Sequence, residues 1–196
     1  MPLGEAMFTQ RSIRRFKPDP IPLADVQLIL EAASKAPNGG NQQVARFLVL
    51  NDRAAIRKFG ALYHEAWWAK RRDEGFHQWE DLPRRFHAAA GLADAMPNVP
   101  CIVFALALHN GPADSVVPAV QNLMLAARSL GIGSVPTTLH PSAMDRFHGM
   151  FDIPDDVGFH FCVPLGYPQG NFGPNVRKPT SETTFLDRWG APVPWT

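Results

Sequence analysis

The chain has 196 residues, of which 45% are hydrophobic and 19% charged, and this length and composition predict one folded domain rather than a disordered or fibrous protein. The formal net charge is only +1, so no overall field favours nucleic acid or an anionic membrane as a partner. The longest apolar run, Val99 to Leu108, is too short to span a bilayer, and the first residues lack a secretion signal. We therefore expect a soluble, cytoplasmic protein in which the isolated Cys101 and Cys162 are buried thiols.

Helices and strands alternate along the chain. Segments with apolar residues at helical spacing are predicted to be helices, over 21–35, 115–130 and 142–150. Short runs of branched, aromatic and other apolar residues are predicted to be strands, over 46–50, 99–108 and 158–165. Gly131 is placed to end the second helix in the left-handed conformation, and the strand over 99–108 is expected to be central. This mixed order favours an α+β or α/β layered fold.

Residues 61–97 have a different composition, with aromatic side chains interleaved with charges. The aromatic residues are Tyr63, Trp67, Trp68, Phe76, Trp79 and Phe86. Such a pattern suits a helical excursion that covers a flat, ring-shaped ligand, and an ordinary helical hairpin that buries its tryptophans explains it equally well. Nucleic-acid binding is disfavoured, because acidic residues interrupt the basic runs and cancel their attraction for phosphate.

Two basic clusters lie near opposite ends of the chain, and both contain groups that bind phosphate. The first is Arg11-Ser12-Ile13-Arg14-Arg15-Phe16-Lys17, and the second is Val176-Arg177-Lys178-Pro179. Guanidinium groups stay charged and bind phosphate oxygens bidentately, so the clusters suit a phosphorylated, electron-rich ligand. We interpret them as two halves of one anion site.

A glycine-rich turn, residues 37–43, separates the first predicted helix from the first strand. Its glycines expose backbone amides, and its Asn and Gln side chains offer donors and acceptors for a phosphate or a planar heterocycle. A helix end followed by a loop explains the same residues. No histidine or cysteine pair has metal-ligand spacing, so no metal site is expected. Gly131-Ile132-Gly133 follows a predicted helix and precedes extended chain, the reverse of the order in a dinucleotide-binding loop. A Rossmann-type dinucleotide site is therefore not expected.

Taken in order, five segments of the sequence resemble the FMN-dependent nitroreductase family over nearly the whole chain. They are the N-terminal basic cluster, residues 36–43, residues 119–133, residues 165–168 and residues 177–179. The resemblance implies an α+β fold, a three-layer α/β/α sandwich with a mixed, mainly antiparallel sheet, that forms an intertwined homodimer with FMN at two subunit interfaces. Residues 1–196 would form a single domain, with 61–97 as a helical lid and 167–196 as an extended C-terminal arm.

The resemblance also implies a set of cofactor-binding residues and no catalytic side chain, because the flavin carries the hydride. They are Arg11, Ser12 and Arg14 of the N-terminal flavin motif, Pro37, Asn38, Gly39 and Asn41 of a loop that in relatives reaches the other subunit's flavin, Pro136, Thr137 and Thr138 beside the hydride-accepting ring nitrogen, and Arg177 and Lys178 of a phosphate clamp. Arg14 is expected near the flavin pyrimidine edge, where a cation stabilises the reduced, anionic ring.

The activity implied by the resemblance is a ping-pong hydride relay. NADH or NADPH would reduce the flavin, leave, and be replaced by a flat, electron-poor acceptor such as a nitroaromatic compound or a quinone. A flavin-fragmenting or reductive dehalogenase member of the same fold, or a non-enzymatic FMN-binding protein, stays open as an alternative. The cation that would bind the extra phosphate of NADPH is also open among Lys70, Arg71, Arg72, Arg84 and Arg85.

Overall fold

The computed structural model describes residues 1–195, and Thr196, the last residue of the predicted C-terminal arm, lies outside the described residues. The helices are α1 (Leu3–Thr9), α2 (Leu23–Ser34), α3 (Arg53–Asp73), α4 (Arg84–Ala95), α5 (Val117–Ser129), α6 (Met144–Met150) and α7 (Thr180–Thr183). The strands are β1 (Ala45–Leu50), β2 (Cys101–Ala107), β3 (Gly133–Ser134) and β4 (Gly158–Gly166). Within residues 1–195, no helix combines the length and the apolar character needed to cross a membrane.

The four strands form one sheet in the order β1-β2-β4-β3. All three strand pairs are antiparallel, and Val103 of β2 is in register with Val49 of β1 and with Val163 of β4. An isolated bridge between Ser12 and Ser134 runs parallel, so the N-terminal segment makes the sheet mixed. The observed sheet is thus mixed and mainly antiparallel, and β2 occupies an inner position, as predicted.

Helices cover both faces of the sheet because consecutive residues of a strand point to opposite sides. From β2, Cys101 and Val103 pack into a core with α2 and α5, whereas Ile102 and Phe104 pack into a second core with α3 and α6. Every residue of β2 is buried, as expected for a strand with helices on both sides. The predicted three-layer α/β/α sandwich is therefore confirmed.

The predicted helices over 21–35 and 115–130 correspond to α2 and α5, each shorter by one or a few residues at its ends. Gly131 has a φ of 76°, so the left-handed end of α5 is confirmed. Cys101 and Cys162 are both buried and unpaired, as expected, and they face the two different cores. Burial raises the pKa of Cys101 to about 12 and also raises the pKa of Cys162.

The predicted lid segment, 61–97, begins inside a longer helix. Helix α3 starts at Arg53, after Asp52 accepts a hydrogen bond from the backbone N–H of Ala55 at 2.7 Å. Its inward face includes Phe59 and Tyr63, which are fully buried in the second core. The first turns of the segment are therefore core, and α4 also contributes Leu92 and Ala93 to the same core.

Candidate functional site

The N-terminal basic segment, residues 11–17, is held in an extended conformation between two parts of the sheet. The N–H of Ile13 donates to the carbonyl of Ser134 at 3.0 Å. The N–H of Lys17 donates to Tyr167, just past the end of β4, at 2.8 Å. The backbone of this segment is therefore fixed, and its arginines project from a rigid element.

Two glycines allow this close approach. A Cβ atom at Gly133 would lie 2.8 Å from Cβ of Ile13, and one at Gly166 would lie 2.8 Å from Cβ of Phe16. Real Cβ atoms do not approach so closely, so any larger residue would push the basic segment away from the sheet. Gly133 and Gly166 thus support the site through backbone packing.

The C-terminal arm brings the second basic cluster to the first. Backbone and side-chain N–H groups of Asn175 donate to the carbonyls of Phe8 at 2.9 Å and Met7 at 3.3 Å, which ties the arm to α1. As a result, Arg177 lines a cavity of about 390 Å³ together with Arg11, Ser12 and Arg14. The two basic clusters therefore meet in one site, as the sequence predicted.

Lys178 does not join this lining. Its side chain is 76% exposed, and its Nζ lies 3.5 Å from a carboxylate oxygen of Glu182 on α7. Of the two residues expected to clamp a phosphate, the structure places only Arg177 in the cavity.

A second cavity, of about 490 Å³, also follows the basic segment and shares Arg11, Ser12 and Arg14 with the first. Its far wall is α4, which contributes His87 and three small residues, Ala88, Gly91 and Ala95. We call the two cavities together the basic trough. It runs along residues 11–16 from the C-terminal arm to α4.

The arginines of the trough carry uncompensated charge. No carboxylate among residues 1–195 forms an ion pair with Arg11, Arg14, Arg15 or Arg177. Arg177 uses one guanidinium nitrogen to donate to the carbonyl of Val176 at 2.9 Å. A cluster of guanidinium groups without counter-charges favours an anionic ligand.

The segment 136–138 is joined to α3 by a hydrogen bond between two side chains. The hydroxyls of Tyr63 and Thr137 are hydrogen-bonded at 2.7 Å. Burial raises the pKa of Tyr63 well above its ordinary value, and the positive charges of Arg14 and Arg71 act against this shift. The Tyr63–Thr137 hydrogen bond joins residues 74 positions apart in the sequence, and no sequence motif indicates it.

The backbone N–H and carbonyl of Thr137 are both hydrogen-bonded to β4. Its N–H donates to the carbonyl of Cys162 at 2.9 Å and its carbonyl accepts from the N–H of Cys162 at 2.8 Å. Pro136, Thr137 and Thr138 lie outside the lining of both cavities of the trough. Of the two amides expected beside a flavin ring, that of Thr138 is the one that meets no acceptor within residues 1–195.

The glycine-rich loop lies elsewhere. Gly40, Asn41 and Gln43 have φ values of 56°, 54° and 52°, and the carboxamide of Asn38 accepts from the N–H of Gln43 at 2.8 Å. Asn38 lines a separate cavity of about 370 Å³ between α2, β1 and α5. Pro37, Asn38, Gly39 and Asn41 are therefore absent from the lining of the basic trough of their own chain.

Arg71 joins the end of α3 to α4. Its side chain is almost fully buried, with the guanidinium 5.2 Å from the ring centre of Trp67 and 4.3 Å from that of Phe86. The same group donates to Glu74 at 2.9 Å, and its Nε is buried without a partner among the described residues. Arg71 thus joins Trp67 and Phe86 by cation–π contacts and is not a free surface cation.

Comparison with known proteins agrees with this architecture. A family model described as "Nitroreductase family" matches residues 8–167. A protein of Archaeoglobus fulgidus named "Putative NADH dehydrogenase/NAD(P)H nitroreductase" is 31% identical over 165 residues, which cover 83% of this chain and 83% of that protein. An iodotyrosine deiodinase of Thermotoga neapolitana is 28% identical, and the match covers 88% of this chain and 90% of that protein.

Solved structures show the same fold. The crystal structure of oxidized iodotyrosine deiodinase bound to FMN and 3-iodo-L-tyrosine gives a TM-score of 0.76 at 23% identity, over 91% of this chain and 96% of that chain. An FMN-dependent nitroreductase of Clostridium difficile R20291 gives a TM-score of 0.71 at 17% identity, over 90% of this chain and 94% of that chain. Since the family model covers most of the sequence, and the three-layer fold brings the basic clusters at its two ends into one site, this chain belongs to the nitroreductase family.

Proposed function

We propose that this protein is an FMN-dependent oxidoreductase that uses NADH or NADPH to reduce flat, electron-poor acceptors such as nitroaromatics or quinones. The observation that carries the proposal is the basic trough, in which Arg11, Ser12, Arg14 and Arg177 converge from opposite ends of the chain. FMN combines a doubly charged phosphate with a hydroxylated chain and a planar ring. The uncompensated guanidinium groups and the hydroxyl of the trough fit these groups in charge and in hydrogen-bonding capacity.

Four residues of the trough have a defined part in this proposal. Arg11, Ser12 and Arg177 would hold the phosphate and the adjoining chain, and Arg14 would face the pyrimidine edge of the ring. When bound, FMN would supply the hydride-accepting, two-electron chemistry. The positive charge of Arg14 would stabilise negative charge that develops on the ring, and the hydrogen bonds that fix the backbone of residues 11–17 would keep Arg14 in position.

We further propose a homodimer in which each copy completes the site of the other. The loop with Asn38 and Asn41 lies away from the trough of its own chain, so it joins a flavin site only if it reaches the trough of a second copy. Exposed apolar side chains on α1 support such an interface: Leu3, Met7 and Phe8 are 65%, 53% and 74% exposed. A cluster of this kind, on the helix that anchors the C-terminal arm, is typical of a subunit contact.

The aromatic residues at the end of α3 and on α4 are proposed to select the acceptor. Trp67 and Trp68 contact each other edge to face at 5.1 Å, and Phe76 and Phe86 do so at 5.9 Å. Flat aromatic surfaces favour flat ligands, because stacking and burial are largest for a planar partner. Of these aromatic residues, Phe86 lies on α4 and directly precedes His87 and Ala88 of the trough wall.

Reductive dehalogenation is the second candidate function. It is supported by the similarity to iodotyrosine deiodinase over 88% of the chain. The two activities differ in their products: the first converts a nitroaromatic or quinone to its reduced form, and the second releases halide from a halogenated aromatic. Assays of iodide release from 3-iodotyrosine and of nitroaromatic reduction, on the same preparation, distinguish them.

The decisive experiment is an anaerobic titration followed by visible absorption. The purified protein, supplied with FMN, is expected to show the spectrum of bound flavin, to bleach on addition of NADH or NADPH, and to recover its colour when an acceptor is added. A protein that binds no FMN contradicts the proposal outright. A yellow protein that neither nicotinamide bleaches would instead be a non-enzymatic FMN-binding protein.

A further inference from the structure

We propose that the α4 side of the basic trough binds the phosphate groups of the reductant, and that Arg15 makes the protein prefer NADPH to NADH. The inference rests on the proposed function, because it names the reductant of the same site. It adds a residue that no flavin motif assigns and a ligand group that the flavin does not carry.

Arg15 is a cation with a fixed backbone, and it forms no ion pair with a carboxylate of residues 1–195. Its carbonyl accepts from the N–H of Gln169 at 3.1 Å, and the side-chain amide of Gln169 donates to the carbonyl of Phe16 at 2.8 Å. Arg15 lines the larger cavity of the trough but not the cavity that contains Arg177. One guanidinium is therefore available on the α4 side beyond those assigned to the flavin, and it is suited to a doubly charged phosphate.

The opposite wall leaves space for such a ligand and supplies a polar group. Ala88, Gly91 and Ala95 lie on one face of α4, and their side chains are no larger than a methyl group. Next to them, the Nε2 of His87 is bonded to the carbonyl of Leu82 at 2.9 Å, and its ring packs 5.5 Å from that of Trp79. The other ring nitrogen of His87 has no hydrogen-bond partner among the described residues.

The cations that the sequence left open for the extra phosphate are less suitable. Arg71 is buried, bonded to Glu74 and enclosed by aromatic rings. The guanidinium of Arg85 lies over Phe86, 4.8 Å from the ring centre. Lys70, Arg72 and Arg84 are exposed, and none of the five lines either cavity of the trough.

The test compares the two reductants on protein loaded with FMN. Arg15→Ala is expected to lower kcat/KM for NADPH by roughly tenfold or more, the loss of one charge-assisted hydrogen bond, and to change kcat/KM for NADH far less. Arg15→Lys should recover part of the NADPH preference. Arg72→Ala removes an exposed arginine outside the trough and should leave both constants unchanged. Unaltered FMN affinity in Arg15→Ala shows that the variant is folded and keeps its flavin site.

A binding measurement separates failure of this inference from failure of the proposed function. Calorimetric titration with adenosine 2′,5′-bisphosphate and with adenosine 5′-monophosphate requires no turnover. The wild type should bind the bisphosphate more tightly, and Arg15→Ala should remove the difference. The inference is overturned if Arg15→Ala weakens both ligands equally or neither, or if the loss appears in Arg72→Ala instead. A protein that oxidises neither nicotinamide contradicts the proposed function, and the bisphosphate titration still decides the site.

Discussion

Arg14 is the side chain on which the proposed flavin site depends most. It lines both cavities of the trough. Replacing Arg14 by Ala removes a charged donor from the ligand, so FMN affinity should fall by roughly tenfold or more. The change is measured as the Kd for FMN from the quenching of flavin fluorescence.

Arg57→Ala is the matched control for Arg14→Ala. Arg57 is exposed on α3 and lines neither cavity, so its loss changes the net charge equally without touching the site. Equal Kd values in the two variants would remove Arg14 from the flavin site. A parallel fall in both would show that only the overall charge matters.

The two buried thiols predict how stability depends on pH. Thiols of the unfolded chain lose their protons at a pKa of about 8.5. In the folded chain, burial raises the pKa of Cys101 to about 12 and also raises that of Cys162. Above the lower value the unfolded state binds fewer protons than the native state, so stability falls as the pH rises. The expected loss is roughly 1 kcal/mol per thiol at a pH of about 9.5, measured by urea unfolding.

The Cys101→Ala/Cys162→Ala double variant tests the source of that loss. It should be less stable than the wild type near neutral pH, because it leaves two small cavities. Its stability should nevertheless change much less between about pH 7.5 and pH 9.5, since no thiols remain to ionise. The same pH dependence in both proteins would assign the effect to other groups.

At the scale of elements, the basic segment lies against the sheet only because glycines of the sheet leave room for it. At Gly166, a Cβ atom would lie 2.8 Å from Cβ of Phe16. Gly166→Ala should therefore displace residues 11–17, and FMN affinity and stability should fall together. Gly149→Ala on α6 is the control, because a Cβ atom there meets nothing within 4 Å and the residue lines neither cavity of the trough. FMN affinity unchanged in Gly166→Ala would show that the clamp does not position the arginines.

Much of the architecture could be predicted from local pattern. Apolar spacing located α2 and α5, branched runs located β2 and β4, and Gly131 ended a helix as its position indicated. The start of α3 at Arg53 was missed although Ile56, Phe59 and Tyr63 recur at helical spacing. The aromatic and charged composition that marks residues 61–97 begins after the helix has started, so it gave the wrong boundary.

The site was predictable where a motif carries its own chemistry, and not where it depends on contacts across the chain. The two basic clusters could be predicted to bind an anion because grouped cations favour an anionic ligand. The fold brings their residues Arg11, Ser12, Arg14 and Arg177 together in one cavity. The bond between Tyr63 and Thr137 gave no such indication, because either residue alone resembles a core or loop position. The burial of Arg71 was equally hidden, since its aromatic partners come from two helices.

At the scale of the whole molecule, the proposed homodimer predicts that the glycine-rich loop of one copy completes the trough of the other. We expect the purified protein to be a dimer by light scattering. We also expect Arg14→Ala and the Asn38→Ala/Asn41→Ala double variant each to retain little FMN, because each removes a different part of the proposed site. Normal FMN retention in the loop variant would exclude the loop from the site.

Mixing the two variants after unfolding and refolding them together tests whether the site is shared. If each loop serves the other subunit, a mixed dimer contains one site with both defects and one intact site. Random pairing makes about half of the dimers mixed, so about one quarter of the wild-type FMN should be recovered. If each loop serves its own trough, every site keeps one defect and no FMN returns. Wild-type chains carried through the same refolding set the full value, so recovery near zero in the mixture would contradict a shared flavin site.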